Sequence, residues 1–279
     1  MRTLKICAGL VLLLGIAVMI YAWVSLSGTN QVYQEGNAVY DNLSYQIRRA
    51  ADTDIKSYPP VIDTAHDSAI ELSYSIADTP QQVITQIYIP DFEIDYEQLK
   101  SINKDAAAWL YSPDTVIDYP VMRANDYSYY LNHLSDGTVN ANGSLFIDYN
   151  NAADFSGELT VIYGHHMKSG RMFGSLVGYK EQSYYDEHPH MYLYTEQGNY
   201  RIDLIYGTVI GAGQWRERAF MYEENTDSLL AFAKSNTTFV SDVEYSEGDR
   251  LIALSTCSYE FDNARYVVIG ILRPEFSVM

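Results

Sequence analysis

The chain has 279 residues, 47% of them hydrophobic and 19% charged, and a formal net charge of −18. That is enough apolar sequence for one sizeable core, so a single main domain is expected. The charge excludes a nucleic-acid partner, because no cluster of Lys and Arg is present to neutralise a phosphate backbone, and the acidity reads as a solvated surface.

In chain order, Arg2 and Lys5 precede an uncharged run, Ile6 to Leu26. At about 1.5 Å per residue, a helix of that length spans a bilayer core. The run ends in Tyr21, Trp23 and the polar stretch Ser25 to Asn30, not in the small residues of a cleavage site. This favours an uncleaved transmembrane signal anchor, with the leading positive charges holding residues 1–30 as a cytoplasmic tip and a span. Everything beyond is expected outside the cell membrane, as in a single-pass protein. Cys7 falls in the span and is read as an apolar membrane residue. Residues 31–87 read as a helical stalk through Val39, Leu43 and Ile47, followed by an acidic linker around Pro59-Pro60.

Residues 88–279 form the main domain, with short strand-like runs broken by turn residues. Strands are predicted at Val83 to Ile89, just ahead of it, and at Val116 to Met122, Ser144 to Tyr149, Leu159 to Tyr163, His190 to Tyr194, Tyr200 to Val209, Arg250 to Thr256 and Tyr266 to Leu272. Eight strands point to a closed or nearly closed β-barrel. Helical inserts are predicted at Tyr96 to Trp109, Tyr127 to His133 and Asp227 to Lys234, the last with an apolar face of Leu229, Leu230 and Phe232. The fold class is mostly β with added helices.

Two segments carry reactive side chains. Leu251 to Thr256 runs as a strand into Cys257, a polar loop follows, and a strand resumes at Arg265 and Tyr266, so that Cys257 and Arg265 face each other at the ends of neighbouring strands. Apart from Cys7 this is the only cysteine, so it has no intrachain disulfide partner in the exported part, and it is read as chemical or as a small buried apolar residue. Leu159 to Tyr163 stops at Gly164, and His165-His166 opens a loop. In extended chain two adjacent side chains point opposite ways, so one is the base and the other its neighbour. Asp262 or Glu260 is an alternative third member that would orient the imidazole. His188-Pro189-His190 lacks a nearby cysteine or carboxylate pair at metal-site spacing and is read as a loop, so neither a metal nor a cofactor is expected.

The stretches YGHHMKSGRMF (Tyr163 to Phe173), LSTC (Leu254 to Cys257) and Arg265 resemble the sortases, cysteine transpeptidases of Gram-positive cell surfaces. Ala108 to Tyr111, Ile117 to Val121, Tyr129 to His133 and Gly143 to Tyr149 are similar in order and spacing to class B. The stretch between Gly211 and Arg250 looks like the long insertion of that class. The resemblance covers roughly residues 88 to 275 and departs at Ala253, where class B members often have Thr. It implies a sortase-like eight-stranded barrel with Cys257 as nucleophile, His165 as acid/base and Arg265 as oxyanion stabiliser. His165 is preferred to His166 because it directly follows Tyr-Gly. Leu131 and Ser255 become candidate substrate-groove residues. The implied partners are surface proteins bearing a C-terminal sorting signal, cut after Thr, and an amino group of cell-wall peptidoglycan.

The chemistry itself leaves the outcome open. A thiolate, a cationic donor for the oxyanion and a histidinium for the leaving amine yield a thioacyl enzyme. Transfer to a cell-wall amine, transfer to a pilin lysine, and hydrolysis as a plain cysteine peptidase all start from it. A catalytically silent adhesive barrel would need none of the three residues.

Overall fold

The computed structural model describes residues 2–50, 90, 92–123, 125–217 and 226–274, and omits the side chains of 2–14, 17, 24, 25, 29 and 50. The strand expected at Val83 to Ile89 and the acidic linker lie outside the described residues.

Helix α1 runs unbroken from Arg2 to Ile47, through the boundary expected near residue 30. Its two halves differ in environment. Ile16, Val18, Met19, Ile20, Tyr21, Trp23 and Leu26 are exposed, whereas Tyr40, Leu43 and Ile47 are buried against the body of the protein. The second half is thus a docked element of the core and not a free stalk. Among the described residues no helix is long and apolar enough to cross a membrane; much of the apolar run expected to do so falls on side chains outside the description.

Beyond α1 the chain forms β1 (Arg48–Ala50), which pairs antiparallel with β2 (Phe92–Ile94). The Arg48 guanidinium lies over the rings of Phe92 and Tyr111 at 3.9 and 4.6 Å and bonds Asp118 at 2.5 Å. Asp118 also accepts from Ser44 and from the Trp109 indole, at 2.6 and 2.7 Å. A paired, hydrogen-bonded cation over two rings fixes the end of α1 to the barrel wall.

The body is a closed barrel of eight strands: β3 (Ala106–Tyr111), β4 (Asp118–Arg123), β5 (Leu145–Ile147), β6 (Leu159–Tyr163), β7 (His190–Thr195), β8 (Gly198–Gly211), β9 (Leu251–Cys257) and β10 (Ala264–Pro274). Around the ring the order is β10-β8-β7-β3-β4-β5-β6-β9. All pairs are antiparallel except β4 with β5 and β6 with β9. Strand β9 is buried on both faces. Ile252 and Leu254 join the barrel interior with Val121, Ile162, Leu204 and Val268; Leu251 and Ala253 pack outward against α4 (Ala212–Arg216) and α5 (Thr226–Ser235) through Trp215, Leu229 and Ala233. Each such fully buried Leu or Ile contributes about 1.5–3 kcal/mol.

The eighth strand is not the one predicted. The helix predicted to reach Trp109 is α2 (Tyr96–Ile102), started by the Asp95 carboxylate accepting from Gln98 N at 3.0 Å and ended at Asn103 in extended conformation. The chain then enters β3. The helix predicted at Tyr127 to His133 is only a 3-10 turn, Tyr129–Leu131, whereas α5 matches its predicted range within a residue at each end. A 3-10 segment, Phe173–Lys180, and α3 (Gln182–Glu187) were not anticipated.

Candidate active site

The parallel pairing of β6 with β9 decides what meets at the barrel rim. Tyr163 is in register with Ser255, so both strands end together, with Gly164 and His165 leaving one and Cys257 closing the other. Gly164 N donates to Ser255 O at 3.2 Å and the Thr256 hydroxyl donates to Gly164 O at 2.8 Å. Antiparallel β10 begins at the same rim, which places Arg265 directly opposite Cys257 in the ladder.

Cys257, His165 and Arg265 therefore line one cavity of about 340 Å³, together with Leu131 and Ser255. All five site residues expected from the sequence come together. The remaining wall is Tyr127, Phe146, Tyr163, Gly164, Thr256 and, on the α4 side, Ala212, Trp215 and Arg216. No carboxylate lines it among the described residues.

The thiol of Cys257 is free and half-buried. His165 Nε2 lies 2.7 Å from the carbonyl oxygen of Leu131. A carbonyl only accepts, so Nε2 carries the hydrogen and Nδ1 is left to gain and lose a proton. His166 Nδ1 donates to the Cys257 carbonyl at 2.8 Å, which fixes the backbone of the nucleophile strand. The two histidines thus divide the work: one imidazole lines the cavity and the other ties down the thiol's own peptide. Among the described residues the Arg265 guanidinium donates one hydrogen bond, from Nη1 to its neighbour's carbonyl, Ala264 O, at 3.0 Å, and the rest of its fork has no partner there. Glu260 is engaged elsewhere, with Lys180 and Ser258. Among the described residues the partner of His165 is a backbone carbonyl and not an acid. Ser255 Oγ is buried without a hydrogen-bond partner among the described residues.

Sequence reasoning missed the support of the cavity wall. Asp148 is fully buried, and its carboxylate accepts from the hydroxyls of Tyr163 and Tyr127 at 3.0 and 3.2 Å and from Asn150 N at 2.9 Å. Burial, then the adjacent Asp148 charge, push the Tyr127 hydroxyl up to about 12 and that of Tyr163 higher still. Both stay phenols that donate to the carboxylate and hold their rings against the cavity. The Arg216 guanidinium lies 5.4 Å from the centre of the Tyr127 ring. Asp148 was visible in Gly143 to Tyr149, but nothing local marks a buried acid whose partners stand up to twenty-one positions away. Among the described residues no group of His, Cys, Asp and Glu is placed to hold a metal ion.

No protein-family model matches the chain. Sortase B of Listeria monocytogenes is 34% identical over 180 residues, covering 63% of this chain and 73% of that protein. The Staphylococcus aureus sortase B–substrate complex superposes with a TM-score of 0.60 at 28% identity, over 65% of this chain and 85% of the other. A crystal structure of sortase B complexed with triglycine gives 0.60 at 27% identity, over 65% and 86%. With a free thiol, an imidazole and a guanidinium facing one cavity at the rim of a closed barrel, this chain belongs to the sortase family, class B, and is a cysteine transpeptidase.

Proposed function

We propose that the protein cleaves the C-terminal sorting signal of exported proteins and transfers them, through a thioacyl enzyme on Cys257, to an amino group of cell-wall peptidoglycan. The observation that carries this reading is the convergence of Cys257, His165 and Arg265 on one cavity. The Cys257 thiolate adds to the scissile carbonyl carbon, and the resulting oxyanion is held by the permanently charged Arg265 fork. Histidinium His165 protonates the departing amine from Nδ1, leaving a thioester. An acceptor amine then attacks, its proton passes back to His165, and the thiolate leaves as the new amide forms. Leu131 and Ser255 belong to the substrate groove; Ser255 Oγ is a buried group available to the bound peptide. The sortase B complexes with substrate and with triglycine support a sorting peptide and a glycine amine as the two partners.

The same reading makes α1 a membrane anchor with the barrel outside the cell. Large apolar side chains from Ile16 to Leu26 stand exposed along the helix, as suits a surface covered by lipid. An anchored enzyme meets a membrane-held substrate within a thin layer, which raises the effective concentration of both.

Mass spectrometry of the protein with a panel of sorting peptides, with and without triglycine, tests the reaction. The expected result is a thioacyl adduct on Cys257 that becomes an amide with triglycine, with no product from Cys257→Ala. Arg265→Ala is expected to lower kcat by about 10²–10³. Hydrolysis undiminished by any added amine would overturn the transfer step, and a product joined through a protein lysine would favour pilin assembly.

A further inference from the structure

Helix α1 reaches the active site from behind. Gly36 lies so close to the loop 140–144 that a Cβ there would sit 2.5 Å from Asn142 Nδ2. On the same face, Asn140 Nδ2 donates to Val32 O at 2.9 Å, and Asn142 Nδ2 donates to Tyr33 O and Asn37 Oδ1 at 3.2 and 3.1 Å. Tyr40 is buried and its hydroxyl donates to Gly143 O at 2.6 Å, while lying 2.9 Å from Ser144 Oγ. Gly143, at φ +60°, is wedged against the site: a Cβ there would sit 2.6 and 2.8 Å from the carbonyls of Tyr130 and Leu131 and 3.0 Å from His165 Cδ2. Ser144 N bonds the Tyr130 carbonyl at 2.8 Å. The loop gripped by α1 therefore presses on the turn whose Leu131 carbonyl receives His165 Nε2.

The next residue of α1 holds the other side of His165. The Asp41 carboxylate pairs with both terminal nitrogens of Arg171, at 2.5 and 3.1 Å. Arg171 lies in the loop that leaves His165 and returns to it, since Phe173 N donates to His165 O at 3.0 Å and His166 bridges Met172. Met172 N in turn donates to the hydroxyl of Tyr119, whose ring meets Tyr40 edge-on at 5.2 Å.

We propose that Tyr40 and Asp41 are positioning residues for His165, so that α1, besides carrying the domain, holds the turn and the loop that aim the imidazole. This rests on His165 acting as the acid/base described above. A helix of one rigid piece bonded to both flanks of a side chain limits its drift, and a displacement of about 1 Å at a reacting group is enough to lower a rate about a hundredfold. Neither residue lines the cavity, so substrate affinity is left to other groups.

The test uses the full chain in detergent, with Tyr40→Phe, which keeps the packed ring and removes one hydroxyl, and Asp41→Asn. Each variant is assayed for transpeptidation and examined by NMR with ¹⁵N-labelled histidine, the His165 signal being assigned by its loss in His165→Gln. The expected outcome for Tyr40→Phe is a kcat lowered about tenfold with KM within about twofold, and faster solvent exchange of the His165 Nε2–H. Asp41→Asn, at a largely exposed carboxylate, is expected to act in the same direction more weakly and serves if Tyr40→Phe does not fold. Unchanged kcat and exchange, with only a lower melting temperature, would show that α1 merely stabilises the barrel and would overturn the proposal. If no sorting peptide is turned over by the unaltered chain, the function proposed above fails separately, and the exchange measurement alone decides the positioning role.

Discussion

At the scale of single residues, the loop after Cys257 is tied by charge. Partial burial alone would raise the Glu260 carboxyl, but hydrogen bonds from Lys180 and Ser258 and the lysine charge lower it from 4.5 to about 2. A carboxylate depressed on folding stabilises the folded state above its unfolded value, and that contribution is lost as pH falls from 4.5 through about 2. The pair is well exposed and screened, so its share is below about 1 kcal/mol. Thermal melts of the protein and of Glu260→Gln are expected to differ at neutral pH and to converge towards pH 2; a constant gap would rule the ion pair out as its source. Cys257, Arg265 and the pair His165-His166 stood out in the sequence as reactive side chains at the ends of apolar runs, and the resemblance to the sortases chose His165 and implied the three roles. Tyr127, Trp215 and Arg216 were not, since a cavity wall is made by convergence of distant segments and leaves no local spacing.

Elements were legible where periodicity and burial agreed. Helix α5 has its apolar residues on one face, and Leu229 is fully buried beside Trp215 and the outer face of β9. Leu229→Ala is expected to destabilise the protein by about 2–5 kcal/mol in urea denaturation, through lost transfer energy and the cavity left behind. Strand β3 was misread because Ala106-Ala107-Ala108 follows a true helix after only three residues and Ala is the strongest helix former. Most of the strand is buried on both faces, so the alternation that marks a half-exposed strand is missing, and pairing with β4 and β7 overrides propensity.

Over the whole molecule, an acidic barrel hangs on a helix with one exposed apolar end and one buried end. Flotation with neutral lipid vesicles is expected to carry the full chain upward and to persist at about 1 M salt, where charge attraction is screened within about 3 Å, whereas a chain beginning at residue 31 stays with the soluble fraction. Loss of the full chain from the vesicles in salt would exclude an apolar anchor. The ring order also has a kinetic side. The hairpin of β9 and β10 is inserted between β6 and β8, so a nascent chain that has not yet released residues 251–274 has an open sheet with two free edges. Residues 159 and 251, which pair in parallel, must close a loop of some ninety residues, and such non-local contacts form late and slowly. The thiol is therefore expected to join its imidazole late in folding, and a half-made chain that lacks residues 251–274 has no assembled site with which to cut its neighbours.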